Sequence, residues 1–336
     1  MAREVKLADG SVATLNDHFE RMVDNDVRLN DGDGVFFQRQ LEVIEQTTYD
    51  VLYPDLEART CFPTLTLGGA GATSLTYRSY DRVGKAQVIN ARATDLPKSS
   101  ISGHEYSINV KSVGCAYDFD IDEVASAQMS GMPLEARKAM ASRRGYEQYV
   151  NDAVWSGDVT GGFTGLFGNA YIAHNPVVAG ASTRTTWIGG KTPDEILNDL
   201  NSACGAMYAA TKKIHKPEEL WMPVLQWNYI ASTPRSSLSD TTILDFFCSN
   251  NQFGITKDKV KALNAIDNKF DGGSDGFIII AKTTPEGTQT IRIREPLPLQ
   301  FLPVQLHGLV YEVPGRGRFA GLEVTYPRAI DMWYGI

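Results

Sequence analysis

Hydrophobic and polar positions divide the chain into stretches of different period. Phe37, Leu41, Ile44, Thr48 and Val51 recur at spacings of 4, 3, 4 and 3, one stripe of an amphipathic helix. Asp33 suits its N-cap, and Pro54 ends it. From Leu67 the period shortens to two. The turn Gly68-Gly69-Ala70-Gly71 leads into Leu75–Tyr80, and a loop from Gly84 to Gly103 precedes the alternating Tyr106, Ile108 and Val110. Past Lys111 the parity flips to Cys115, Tyr117, Phe119 and Ile121, which predicts a β-bulge inside one strand. Residues 67–121 therefore read as a long, twisted two-stranded excursion. Its middle, including Asp95-Leu96-Pro97-Lys98-Ser99-Ser100, is too poor in apolar residues to build a core. Such a ribbon is marginal alone in water and must lie on something else.

The strongest helix signal follows. Pro133 suits the first turn and Gly157 the C-cap, giving about 24 residues and roughly 36 Å. Ala139, Tyr146, Tyr149, Val150 and Ala153 share its apolar face. Gly145 in the middle costs about 1 kcal/mol relative to alanine, so either a neighbour packs closely on it or the helix bends there. Residues 158–191, rich in glycine, threonine and alanine, read as a long surface connection. Thr192-Pro193-Asp194-Glu195 is a capping box with proline at the first helical position, and Leu197, Leu200, Cys204, Met207 and Tyr208 are that helix's buried stripe. A strand at Leu220–Met222, helices at Pro223–Ala231 and Ile243–Cys248, and a buried strand at Phe277–Ala281 complete a compact α/β part over 192–282. The last 46 residues return to strands near Thr290–Arg294, Leu306–Val313 and Leu322–Tyr326, with Pro296, Pro298 and Pro303 at edges or bends.

Composition then limits the function. With 43% hydrophobic and 21% charged residues in 336, wholesale disorder is excluded. The longest apolar run, Phe277–Ala281, is far short of the roughly 20 residues of a membrane span. No apolar segment occurs in the first thirty positions, so no secretory signal is expected. Of the net charge of −8, residues 1–34 hold four bases against eight acids, leaving −4 on the other 302. That near-neutral body has no basic patch to grip nucleic acid. Cys61, Cys115, Cys204 and Cys248 are far apart and read as free thiols in a reducing compartment.

No catalytic constellation is present. Gly69-Ala70-Gly71 is followed by Ser74 and a strand, whereas a dinucleotide fingerprint requires a third glycine and a helix. No phosphate loop, nucleophile elbow or HExxH motif occurs, and the five histidines at 18, 104, 174, 215 and 307 are scattered. Asp118, Asp120 and Asp122 at alternate positions would share one strand face, about 6.6 Å apart, a spacing open to a cation. A calcium loop, however, needs glycine and glutamate where Glu123 and Met129 stand. The reading preferred is a solvated strand face with Asp120 or Asp122 capping a short helix over Glu123–Met129. No catalytic, cofactor-binding or metal residue and no cofactor is expected, and the chain reads as a self-assembling structural subunit. A soluble α/β enzyme with a dispersed site is the alternative of another class.

Several segments carry a family resemblance. They are Tyr53-Pro54-Asp55-Leu56-Glu57-Ala58-Arg59, Asp95-Leu96-Pro97, Gly131-Met132-Pro133-Leu134-Glu135-Ala136-Arg137-Lys138-Ala139 continuing to Val154-Trp155-Ser156-Gly157-Asp158, and Gly165-Leu166-Phe167-Gly168. With the order of elements from about residue 34 to the C-terminus, they resemble the Hong Kong-type (Johnson) fold. That α+β fold occurs in major capsid proteins of tailed double-stranded-DNA phages, which the sequence resembles most, and in encapsulin shells, the nearest alternative.

The resemblance implies an N-terminal arm at 1–62, an extended β-hairpin loop at 63–120, a peripheral domain at 121–190 and 291–336 with a spine helix at 133–156, and an axial domain at 191–290. It implies many copies in pentamers and hexamers of an icosahedral head enclosing double-stranded DNA without sequence-specific binding. The chain would be part of a virion assembled in host cytoplasm, without membrane contact, and with separate scaffolding, portal and decoration proteins as partners. Ser232–Asp240 and Asn268–Gly276 would be the loops at ring centres. Gly84, Gly103 and Gly145 are the expected assembly hinges, and Tyr77, Arg82, Lys85 and Lys98 the expected inter-subunit contacts of the extended loop. Some relatives crosslink a loop lysine to an asparagine of another subunit; Lys85 and Lys98 lie in that region, without an identifiable acidic partner.

Overall fold

The computed structural model describes residues 4–6, 12–14, 53–88, 96, 98–130, 134–236 and 238–336. The chain divides into two units, residues 1–54 and 55–336. In the first, strands β1 (Glu4–Lys6) and β2 (Val12–Thr14) pair antiparallel, with Glu4 opposite Thr14. The helix expected over Phe37–Val51 lies outside the described residues.

In the second unit the apolar run at Phe277–Ala281 has a clear physical cause. It supplies β12 (Gly276–Ile280), the middle strand of a five-stranded sheet. The other strands are β9 (Ala173–Pro176), β10 (Glu219–Met222), β11 (Val260–Ala262) and β18 (Ile330–Tyr334), in the order β11-β10-β12-β18-β9. Strand β12 is antiparallel to both neighbours, and the outer pairs β10–β11 and β9–β18 are parallel. Phe277 and Ile279 enter one core, together with Leu220, Met222, Ile196, Leu200, Ile230 and Phe247. Ile278 and Ile280 enter a second core with Trp221, Met332, Trp155 and Phe62. A strand buried on both faces cannot alternate with polar residues, so it reads as a continuous apolar run.

The first core is closed by helices α4 (Pro193–Ala210), α5 (Val224–Ser232) and α6 (Ile243–Asn250). The predicted capping box of α4 forms, with the Glu195 carboxylate accepting from the Thr192 N–H at 2.8 Å. Leu197, Leu200, Cys204 and Met207 are buried as the stripe requires, and Ile196 and Ala203 join them. The second core is closed by α3 (Leu134–Trp155), 22 residues and so about 33 Å long. Only its C-terminal half packs inward, through Tyr146, Val150, Ala153, Val154 and Trp155. Pro133 lies outside the described residues. Gly157 has φ +85°, and a Cβ there would stand 2.7 Å from both the Phe163 carbonyl oxygen and the Gly165 nitrogen. Only glycine fits that turn between α3 and the short hairpin of β7 (Gly157–Asp158) and β8 (Phe163–Thr164).

Strand pairing and burial correct two expectations and place two further segments. Residues 67–121 are not one ribbon with a bulge: β4 (Ser74–Val83) pairs only with β5 (Ser100–Asn109), whereas β6 (Lys111–Asp120) pairs along its length with β16 (Val310–Phe319). Val110 between them is buried, and the parity flip marks the hand-over of the chain from one sheet to another. Residues 158–191 are not simply a surface connection, because Phe163, Leu166, Ile172, Val177 and Trp187 are core residues. Of the last 46 residues, β18 is an inner strand of the five-stranded sheet and places Ile330 and Met332 in the second core with the spine helix. Finally, residues 55–62, expected in an arm, contain α1 (Ala58–Cys61) and place Ala58, Cys61 and Phe62 in the second core.

Two smaller sheets complete the unit. Strands β3 (Thr64–Leu65), β13 (Ile291–Arg294) and β17 (Gly321–Val324) form one, with β13 central. In the other, β14 (Leu297–Phe301) and β15 (Gln305–His307) share the edge of β16 opposite β6. Pro298 coincides with the register shift between Leu297 and Gln300, where no ladder donor is lost. Strand β6 runs into α2 (Ile121–Ser130).

Phe62 lies 5.3 Å from both Trp155 and Trp221, ring centre to ring centre, so it fixes two indoles at once. Phe62→Ala is expected to cost about 3–5 kcal/mol in chemical denaturation. Asp331, on β18, is pushed up to about 6 by burial, against hydrogen bonds from Trp333 and Asn175. A raised carboxyl favours the fold in its protonated form, an advantage complete below the ordinary carboxylate value and lost as pH rises through about 6. Thermal denaturation between pH 4 and 7 should therefore show Asp331→Asn gaining on the unmodified chain as pH rises, with no difference in slope disproving the assignment.

Candidate functional site

Two features of the second unit organise its surface: a projecting hairpin and a buried ionic staple at its foot. The ten rungs of β4 and β5 run from Ser74–Asn109 to Val83–Ser100, about 34 Å in length. No other described strand pairs with either. Tyr80, Val83, Ile101 and Tyr106 are 64%, 59%, 69% and 48% exposed, although all are apolar or aromatic. Within the ribbon, the Tyr77 and Tyr106 rings stack at 5.1 Å, and Arg78 pairs with Glu105 at 3.1 Å. These cross-strand pairs hold the register of a ribbon that has no core.

The predicted contact residues fall on this hairpin. Tyr77 is half-buried in its stack near the foot, and burial raises its hydroxyl above the ordinary value. Arg82 faces solvent near the far end of the ladder, and Lys85 and Lys98 are exposed just beyond it. None of these three makes an ion pair among the described residues. Gly103 stands opposite Tyr80, where a Cβ would lie 3.2 Å from the ring, so the tyrosine covers the gap that the glycine leaves. Gly84 has only Ser99 within 4 Å. Gly145 is exposed with no atom near its missing Cβ, and α3 is continuous through it; close packing does not explain this glycine.

At the foot, Gly68 and Gly69 turn the chain with φ of +118° and +68°. The Arg318 guanidinium donates to the Ala72 carbonyl, and the Val110 N–H donates to Thr73 at 2.9 Å. Just before lies the segment that no local pattern singled out as a network. The Glu57 carboxylate accepts from the N–H groups of Asn264 and Ala265, both at 2.9 Å. Ala58 N–H donates to Asn151 at 3.1 Å. Arg59 bridges Glu147 on α3 and Glu295 after β13, at 2.5 and 2.7 Å, and Tyr146 donates to Glu295 at 2.8 Å. Burial opposes the Arg59 charge, but the bonds to Glu295 and Glu147 outweigh it and hold the proton more tightly than usual. Beside this network Glu323 receives Arg292 at 2.9 Å and is also paired with Arg294. Burial alone would raise its carboxyl; the two arginines hold it below the ordinary range.

The remaining candidates do not converge. Asp118 and Asp120 are exposed on β6, but Asp122 is in the first turn of α2, so the three do not share a strand face. Glu123, rather than an aspartate, reaches back to the Asp120 N–H and to Lys138. Among the described residues no group of three His, Cys, Asp or Glu is placed to hold a metal ion. All four cysteines are free; burial pushes Cys61 to about 11 and Cys204 to about 12, leaving both thiols protonated. No described helix is long and apolar enough to cross a membrane.

Arg59→Met should leave Glu295, whose side chain is 2% exposed, buried without its cation, at a cost of about 3–5 kcal/mol. Adding Glu295→Gln should recover part of the loss in a double-mutant cycle, and simple additivity would refute the coupling.

A family model described as major capsid protein matches residues 84–336. No curated protein matches the chain. Among solved structures, the capsid of Myoviridae phage XM1 superposes with a TM-score of 0.73 at 18% identity, covering 90% of this chain and 99% of that one. A structure from Mycobacterium phage Bobi gives 0.56 at 12% identity, covering 87% and 95%. The capsid of a native GTA particle gives 0.55 at 11% identity, covering 88% and 96%. These likenesses assign the Hong Kong-type α+β fold, and with the family match over three quarters of its length the chain belongs to the major capsid protein family, whose members are structural capsid subunits.

Proposed function

We propose that the hairpin β4–β5 is the clasp by which each subunit holds its neighbour, and that clasped subunits close into five- and six-membered rings of an icosahedral head around double-stranded DNA. The observation that carries this reading is the ribbon itself: twenty paired residues with exposed Tyr80, Val83, Ile101 and Tyr106 and no supporting strand. An isolated ribbon of this kind is marginal in water, and a neighbouring surface supplies the missing face. Arg82, Lys85 and Lys98 would make polar contacts around it. Head-to-tail contacts of this sort are heterologous, so they close into rings when the rotation permits.

The same chain must accommodate two ring sizes, so some backbone must bend. Gly84 and Gly145, with little or nothing beside their missing side chains, would bend with least hindrance; Gly103, under the Tyr80 ring, would move only with its partner strand. The loops 232–240 and 268–276 are the proposed ring centres. In the second, Asn268, Gly272 and Gly273 adopt left-handed backbone. A net charge of −8 favours a container that does not grip its genome, since many phosphate contacts would resist packing. Separate scaffolding, portal and decoration proteins, and assembly in the host cytoplasm, complete the reading.

The test is deletion of residues 84–103 with a short turn in their place. The variant should keep the circular dichroism and thermal midpoint of the full chain and form no shells or rings in negative-stain images. Normal shells from the deleted chain would refute the clasp.

A further inference from the structure

One hollow in the second unit belongs neither to the hairpin nor to its staple. It is a groove of about 650 Å³ between the C-terminal end of α4 and the segment that leads into β18, lined by Tyr171, Thr211, Lys212, His215, Tyr326 and Arg328 among others. It continues, past Tyr171 and Arg328, into a second hollow of about 480 Å³ that reaches Asp331. That size is ordinary for a ligand site.

Its floor contains an unsatisfied group. His215 is 6% exposed, yet its Nδ1 has no hydrogen-bond partner. Buried polar nitrogens are almost always paired, so an orphan behind the wall of a groove asks for a partner; the nitrogen is sealed from solvent, and the ring must turn for an occupant to supply one. The residue's backbone is held in place: Thr211 Oγ1 accepts from the His215 backbone N–H at 3.3 Å and donates to the Met207 carbonyl at 2.9 Å, and the ring lies 5.5 Å from that of Tyr326.

The rim has one sign of charge. Lys212 and Arg328 line the groove and Lys213 adjoins it; none of the three has an acidic partner among the described residues. Lys212 and Lys213 both adopt left-handed backbone, φ +51° and +69°, a conformation in which glycine or asparagine would be expected. Lysines just past a helix C-terminus complement its dipole, which accounts for their charge but not for the orphaned imidazole beneath them. The body that carries this rim is near neutral, so the unpaired cations of the rim themselves select for anions.

We propose that this groove is a docking site for an acidic peptide segment of another protein, which sets a carboxylate between Lys212 and Arg328 and a polar group on His215 Nδ1. Apolar side chains of the same peptide would rest on Ile214 and on the rings of Tyr171 and Tyr326. A linear segment can follow the groove on toward Asp331, where the carboxylate would repel a second acidic group and set the peptide's register.

The experiment uses the full-length chain as assembled and a fluorescein-labelled peptide Glu-Leu-Glu-Leu-Glu, with Gln-Leu-Gln-Leu-Gln as its uncharged control, read by fluorescence anisotropy. The acidic peptide should bind saturably and the control at least about tenfold more weakly. The double variant Lys212→Glu, Arg328→Glu changes two exposed side chains and should lose about tenfold or more in affinity. His215→Phe, which removes the orphan and keeps the ring, should weaken binding with an unchanged thermal midpoint. Equal binding of the two peptides, or undiminished binding to the double variant, would overturn the proposal. So would displacement of the peptide by inorganic phosphate at the peptide's own concentration, which would make the groove a site for free anions instead. Shell formation is scored in the same samples, so failure of the docking site is distinguishable from failure of the clasp.

Discussion

The fork of Arg59 between Glu147 and Glu295 is the contact on which the second unit turns. One carboxylate belongs to the spine helix and the other to the chain leaving β13, so a single planar guanidinium fixes the angle between a helix and a sheet. Its neighbours extend the reach: Glu57 accepts from the backbone at Asn264 and Ala265, Ala58 donates to Asn151, and Phe62 packs on both Trp155 and Trp221. Buried ion pairs add little net stability compared with apolar replacements. This one supplies geometry, because both carboxylates must arrive in the plane of the fork for its donors to be used. The two residues after the turn, Thr64 and Leu65, then join β13, and the hairpin leaves from there. The direction of the projecting ribbon is thereby tied to the segment that places Ala58, Cys61 and Phe62 in the second core.

The central sheet imposes the complementary constraint. Its middle strand is a wall between two cores, so β12 is apolar on both faces. Such a wall transmits position well, since closely packed interiors do not deform continuously. A lever of about ten rungs can rest on a neighbouring subunit only if its base does not yield, and the Arg318 bond to Ala72 ties the base of the hairpin to β16.

Local pattern revealed the elements whose cause is local. The capping box at Thr192, the stripes of α3 and α4 and the apolar run of β12 each state their surroundings within one or two turns of chain. What depended on distant partners was not legible. A parity flip at Lys111 reads the same for a bulge as for a chain passing from one sheet to another; only the ladder from Val310 to Phe319, two hundred residues on, decides. The apolar positions of residues 158–191 follow no regular period, and Ile172, Val177 and Trp187 are core because other segments close over them. Arg59, Glu147 and Glu295 are separated by 88 and 148 residues, too far for any periodicity to pair them. The segment Tyr53–Arg59 drew notice only through resemblance, and its structure gives the physical reason: Glu57 and Arg59 are the two ends of the staple.

A subunit that assembles with its own copies must also remain soluble beforehand, and the hairpin, as the proposed clasp, would meet both requirements. A two-stranded ribbon has two open edges, each a template for unwanted strand addition. Here Arg78, Asp81, Arg82, His104 and Glu105 interrupt the apolar positions along both strands. Charges of both signs make indiscriminate edge pairing costly, whereas a surface that answers Tyr80, Val83, Ile101 and Tyr106 with apolar contacts and Arg82 with an acid recovers that cost. Selectivity of the clasp would then come from its pattern and not from its strength. Weak, patterned contacts repeated around a ring favour correct closure, because a misplaced subunit engages too few of them at once to stay.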